Sequence, residues 1–324
     1  MRPALRAGLL PLWRDPDTIQ VGIDPRRGTA LGGMTRAFEV IGLLDGSRDR
    51  AQVIAEAGRM GIAAEVTERI ITLLAAAGVL VDLAAGTLGT LPQELRRDLL
   101  PELAAASLAR QDGDGGMQLL AKRSATSVAV YGAGRIAGTI IELLTCAGLA
   151  VRAQSEARPH GTAEPALKSD RPNLPDLKSD VAVLVGRRRQ GIVDTLQQQG
   201  TAHLAVSACE AIGVVGPLVQ PGRTACLRCL DLIKADHDPA WPLILAQLAT
   251  READPAACDA CLATAVAAQA AAQVIAFVDQ APLADATTNG CVELAMPSWQ
   301  WRRRSWLPHP ACTCAAADYC AAAG

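Results

Sequence analysis

The chain has 324 residues, 50% of them hydrophobic and only 3% aromatic, with a formal net charge of −2. That near balance argues against a general nucleic-acid or membrane-surface binder, each of which needs a basic face. The length suggests two domains, and no apolar run develops before Trp13-Arg-Asp-Pro16, so no signal peptide and a reducing, cytoplasmic setting are expected.

Leu9 to Arg14 and Thr18 to Ile23 read as strands separated by the turn Asp15-Pro-Asp17. Asp24-Pro-Arg-Arg-Gly28 then turns the chain into Thr29-Ala-Leu31, which predicts a three-stranded meander. Three helices follow, Thr35 to Leu44, Arg50 to Arg59 and Ala64 to Ala77, each with a glycine near its end (Gly46, Gly61, Gly78) suited to a C-cap. Val66, Ile70, Ile71, Leu73 and Leu74 give the last helix an apolar stripe. Through Leu12-Trp-Arg14, Gln20-Val-Gly-Ile-Asp24, Leu43-Leu-Asp-Gly46 and Leu74-Ala-Ala-Ala-Gly-Val-Leu80, residues 1–82 resemble the PqqD-like peptide-recognition fold, a small winged-helix α+β module. The resemblance implies that a leader peptide adds a strand to the open sheet edge and lies against the third helix. A DNA-binding winged helix is the competing reading, but the third helix, Ala64-Glu-Val-Thr-Glu-Arg-Ile70, has two acids and one base where a DNA reader is basic.

Residues 83–123 read as a linker with one helix, Gln93 to Arg110, followed by Gln111-Asp-Gly-Asp-Gly-Gly116. Residues 124–324 begin with the strand Ser127 to Tyr131, which runs into the turn Gly132-Ala-Gly-Arg-Ile-Ala-Gly138 and then a helix from Thr139 to Cys146. Gly132, Gly134 and Ala137 fit the GxGxxG/A dinucleotide turn, with Gly138 beside them, in a strand–turn–helix setting where a phosphate could approach a helix N-terminus. Further strands are expected at Leu149 to Ala153, Asp180 to Val185 and His203 to Ser207, with helices at Ile192 to Gln199 and Leu262 to Val278. The fold class is therefore α/β, a Rossmann-like domain with a mostly parallel sheet.

Two thiol pairs stand out, Cys226 with Cys229 and Cys312 with Cys314. Hooks of this kind can close one tetrahedral zinc site. Cys258 with Cys261 is a rival pair, Cys320 a possible substitute, and disulfides an alternative chemistry. Cys146, Cys209 and Cys291 sit singly on apolar elements and read as core.

From Gly132 onward, through Gly213-Val-Val-Gly-Pro-Leu-Val-Gln-Pro-Gly-Arg-Thr-Ala-Cys-Leu-Arg-Cys-Leu-Asp231, Asp236-His-Asp-Pro-Ala-Trp-Pro242 and His309-Pro-Ala-Cys-Thr-Cys314, the chain resembles the ThiF/MoeB/HesA superfamily of ubiquitin-activating-type proteins. Within it, the set looks most like the leader-binding, ThiF-like "cyclodehydratase" partners of thiazole/oxazole peptide biosynthesis. The resemblance implies a structural zinc on Cys226, Cys229, Cys312 and Cys314, a homodimer, a precursor leader peptide as ligand, and a YcaO-type enzyme as partner. It places no ligand at Cys258 or Cys261.

Adenylating relatives also need an acid for the ribose and an aspartate for magnesium. Here the second strand leads only to Glu156, and the third strand is followed by Arg187-Arg-Arg189. Asp180 stands at the wrong end of that strand. The reading is thus a vestigial nucleotide turn (Gly132, Gly134, Ala137, Gly138), no catalytic residues, little footing for ATP or Mg2+, and no nucleic-acid or membrane partner. An ATP-dependent adenylyltransferase acting on a peptide or small-protein carboxylate is the alternative function.

Overall fold

Alternation decides the first sheet. In Thr18–Val21 (β3), Ile19 and Val21 share one face and are fully buried, as a period of two requires of a half-buried strand. The structure is a computed structural model and describes residues 1–33, 36–83, 93–154, 179–186, 190–250 and 257–314. The chain divides into two units, Met1–Ala121 and Lys122–Gly324.

In the first unit, β3 lies between Pro11–Asp15 (β2) and Thr29–Gly32 (β4) in an antiparallel meander. The helices Ala37–Gly42 (α1), Arg50–Arg59 (α2) and Ala64–Ala76 (α3) pack on it. A capping box starts α2: Asp49 accepts the Gln52 N–H at 2.8 Å and Gln52 Oε1 accepts the Asp49 N–H at 2.9 Å. Gly61 and Gly78, at φ +78° and +70°, follow α2 and α3 in the left-handed conformation that glycine adopts without a Cβ penalty. The buried stripe of α3 is Thr67, Ile70, Ile71 and Leu74. Val66 and Leu73, expected in that stripe, lie on its flank, 42% and 38% exposed.

Between residues 1 and 124 three elements were not anticipated: two short strands, and a helix at Met117–Ser124 in the stretch read as holding only one. Pro3–Leu5 (β1) and Leu80–Asp82 (β5) pair antiparallel, each too short to carry a periodic signal. Gln93–Arg110 (α4) falls at the bounds expected, and Met117–Ser124 (α5) follows it. The stretch read as linker is tied into this unit by Arg6, which is 3% exposed. Its guanidinium donates to the carbonyls of Gly78, Ser107 and Asp112 at 3.0, 2.9 and 2.6 Å.

Among the described residues, the second unit is built on a seven-stranded sheet. Its strands are Ser127–Tyr131 (β6), Ala150–Gln154 (β7), Val181–Val185 (β8), Ala202–Cys209 (β9), Ile212–Val219 (β10), Gly290–Ala295 (β11) and Gln300–Ser305 (β12), in the order β12-β11-β10-β9-β8-β6-β7. Strands β7, β6, β8 and β9 are parallel, and β10 to β12 extend the sheet antiparallel. Five of the seven strands therefore point one way.

Gly134–Cys146 (α6) and Ala260–Asp279 (α10) pack on one face around Val128, Val130, Ile140, Leu204, Val266 and Val274. A Cβ on Gly213 of β10 would lie 2.1 Å from Val266 Cγ2, so only glycine lets α10 sit this close. Helix α10 is long and apolar enough to cross a membrane by composition, and 56% of that window is buried in this unit. Gln190–Gln199 (α7) and Leu227–His237 (α8) cover the opposite face through Val193, Leu196, Leu227 and Leu230. Trp241–Thr250 (α9) follows α8.

Candidate metal centre

The two thiol hooks meet. After β10, the turn at Gln220–Arg223 leads to Cys226, the N-cap of α8, and Cys229 lies in the first turn of that helix. Beyond β12 the chain crosses back and brings up Cys312 and Cys314. The sulfurs are 3.7 Å apart for Cys226–Cys229, 3.6 Å for Cys226–Cys312 and 3.5 Å for Cys229–Cys314. All four fall within 4.8 Å of one another. A tetrahedron with Zn–S bonds of about 2.3 Å has S···S edges of about 3.8 Å. The set can hold a metal such as zinc.

Cys226, Cys229 and Cys312 are buried and Cys314 is half-buried. Burial pushes the Cys226 thiol well above the ordinary range; the Cys229 backbone N–H opposes this in part, and the nearby Cys229 and Cys314 sulfurs add to it. Burial likewise takes Cys312 up to about 11. Four thiolates this close would repel one another, and a divalent cation offsets that charge and holds the set together.

The other cysteines lie elsewhere. Cys258 is half-buried and Cys261 exposed at the start of α10; neither joins the cluster. Cys320 lies outside the described residues. No described cysteine is in a disulfide. Cys291 is buried, as expected, and its sulfur accepts the Trp306 indole N–H at 3.1 Å. Cys146 and Cys209, expected in the core, are exposed, one at the last residue of α6 and the other at the end of β9 beside a tight turn.

Three features around the hooks escape sequence reasoning. Asn289 Oδ1 accepts the N–H of Ala225 at 2.7 Å, and His309 Nε2 is 2.8 Å from Asp236 Oδ2. Trp241 donates its indole N–H to Asp231 at 3.4 Å and lies beneath Lys234. A histidine three residues before a CxC hook was the available signal.

The glycine turn is in place at the carboxyl ends of the parallel strands. Gly132 has φ +136°, and a Cβ there would come within 2.7 Å of the Val185 carbonyl oxygen. Gly134 has φ +84°, opens α6 and has nothing within 4 Å of a built Cβ, as has Gly138. Ala137 is buried beneath the helix. A phosphate could approach this turn. Strands β6, β7 and β8 end in Tyr131, Gln154 and Val185, and no described residue at those ends is acidic; Glu156 and Arg187 to Arg189 lie outside the described residues. Asp180 sits at the opposite end of β8, where its carboxylate accepts the Ser127 N–H and hydroxyl at 2.7 and 2.8 Å. Those bonds hold its pKa below the usual value.

Among solved structures, the heterocyclase TruD superposes on 98% of this chain with a TM-score of 0.64 at 15% identity. The fold is shared with the matched part of TruD. Escherichia coli MccB in its complex with ATP matches 97% of the chain with a TM-score of 0.57 at 14% identity. The Microcin C7 biosynthetic enzyme MccB in complex with N-formylated MccA matches at 0.55 and 13%. The chain spans 43% of the TruD chain and all of the MccB chain. No protein-family model and no curated protein matches the sequence.

Proposed function

We propose that the chain is a leader-peptide-binding scaffold that presents a ribosomally made precursor peptide to a YcaO-type cyclodehydratase in azole/azoline peptide biosynthesis. The observation that carries the reading is the match of nearly the whole chain, both units included, to a heterocyclase fold. On this reading residues 1–82 are the PqqD-like recognition domain, 83–123 connect it, and 124–324 are a zinc-stapled ThiF-like domain whose nucleotide turn is vestigial. The first unit has features that suit a peptide. Among the described residues, edge strand β4 has a strand partner only on its β3 side, Val66 and Leu73 are exposed on α3, and Leu12, Trp13, Ile23 and Phe38 are exposed apolar residues nearby in sequence. An added strand would gain main-chain hydrogen bonds from such an edge while apolar side chains supply selectivity. The domain is expected to act as a cytoplasmic homodimer.

The test is fluorescence anisotropy with labelled precursor peptides. Val66→Asp and Leu73→Asp place charge on an exposed flank, so the fold should persist while affinity drops about tenfold or more, the loss expected of an interface anchor. Unchanged affinity in both variants would remove α3 from the reading. The second reading, an adenylyltransferase acting on a peptide carboxylate, is favoured by the intact turn at Gly132 and by the MccB complex with ATP. Peptide-dependent exchange of pyrophosphate into ATP would establish it and displace the scaffold.

A further inference from the structure

Two hooks 86 residues apart in sequence can share one metal only if something sets their spacing. Ala225, directly before Cys226, is fully buried, and its N–H is bound by the side chain of Asn289 at 2.7 Å. The main chain of the same residue holds the other hook's approach: the Asn289 carbonyl accepts the Trp306 N–H at 2.8 Å. Asn289 has φ +49°, in the left-handed region that asparagine tolerates better than most side chains. From Trp306 the chain runs three residues to His309. There the ring Nδ1 accepts the Ala311 N–H at 3.1 Å, and the Cys312 N–H donates to the His309 carbonyl at 2.9 Å. Because Nδ1 is an acceptor, a neutral ring carries its proton on Nε2, which donates to Asp236 on α8 at 2.8 Å. Cys226 is the N-cap of that helix.

We infer that Asn289 is a positioning residue for the metal centre, holding one hook by its side chain and the other by its main chain, with the His309–Asp236 contact as a second tie. The inference rests on the four-cysteine metal reading. Neither residue touches the metal; both restrict the motion of the segments that carry the thiolates. Partners of this kind, one shell out from the ligands, typically contribute about 10- to 100-fold in metal affinity.

Asn289→Gly keeps the left-handed backbone and removes only the acceptor. Asn289→Asp keeps both. His309→Asn keeps an acceptor that can reach the Ala311 N–H but cannot span to Asp236. Zinc affinity of the full chain is measured by competition with a chromophoric chelator. Asn289→Gly should weaken it about 10- to 100-fold and His309→Asn about tenfold, with Asn289→Asp close to the parent. A metal-independent readout separates this from a failure of the zinc reading. In the metal-free chain, dibromobimane, a short bifunctional thiol reagent, should bridge the Cys226/Cys229 hook to the Cys312/Cys314 hook, with the yield falling in Asn289→Gly. Parental zinc affinity and parental bridging in both Asn289→Gly and His309→Asn would overturn the inference. If the parent binds no zinc yet its bridging depends on Asn289, only the metal reading falls.

Discussion

His203 is the residue whose chemistry the fold most constrains outside the metal centre. It lies on β9 with no exposure, its Nδ1 is 3.0 Å from the Thr201 carbonyl oxygen, and its Nε2 has no hydrogen-bond partner among the described residues. Burial holds its pKa below the usual value, with the Thr201 contact opposing in part. The folded chain thus keeps the ring neutral where an unfolded chain, with an imidazole pKa of about 6.5, takes up a proton. A depressed native pKa contributes stability that is fully present above about pH 6.5 and is lost as pH falls below it. In urea denaturation with His203→Gln as the comparison, the parent should lose more stability than the variant between about pH 7.5 and pH 5.5. Parallel losses would mean that burial does not perturb this ring. The four cysteines give a second residue-scale expectation. Since burial raises Cys226 and Cys312, loading zinc onto the metal-free chain at neutral pH should release at least two protons per ion. Cys229→Ser should abolish stoichiometric zinc in elemental analysis of the purified chain.

At the scale of elements, what the sequence announces is what periodicity or spacing can carry. Ser127–Tyr131 and Gln93–Arg110 fall at the bounds expected, because one is an unbroken apolar run and the other a helix-forming stretch bounded by proline and glycine. Strands β1 and β5 span three residues each, too few for alternation to register. The flank position of Val66 and Leu73 could not be read from helical spacing alone, since they lie within about 60° of Ile70 on a helical wheel and only tertiary packing decides where the buried arc ends. The hooks were legible because ligand spacing is local; Asn289 was not, because a lone asparagine in a turn is most often only a turn. Also invisible was the pair Arg123–Asp279, which joins the end of α5 to the last residue of α10. Arg123 donates to both Asp279 oxygens, at 3.0 and 2.6 Å, and both side chains are below 8% exposure. Removing one partner of such a pair strands a buried charge, and Asp279→Ala should lower stability by about 3–5 kcal/mol. Replacing both together with leucine should cost much less. A double-mutant cycle in which the two single losses simply add would show that the pair is not coupled.

At the scale of the molecule, the question is what the metal does to the unit that carries it. All four candidate ligands lie in Lys122–Gly324, and the larger core there, around Val128, Ile140, Leu204 and Val266, contains none of them. The metal is therefore expected to close a loop on an already folded sheet. Bridging residues 86 apart removes chain entropy worth about 4–5 kcal/mol by the loop-closure relation used for cross-links. Part of that is already supplied in the metal-free chain by the Asn289 and His309 contacts, so chelation should lower stability by less than the full figure. The effect should also be local. Hydrogen exchange after chelation is expected to lose protection at residues 306–314 and around 225–231, while β6, β8 and α10 keep theirs and the first unit, which holds no candidate ligand, is unchanged. Protection lost across the whole sheet would instead mean that the metal is part of the core and that the second unit cannot fold without it.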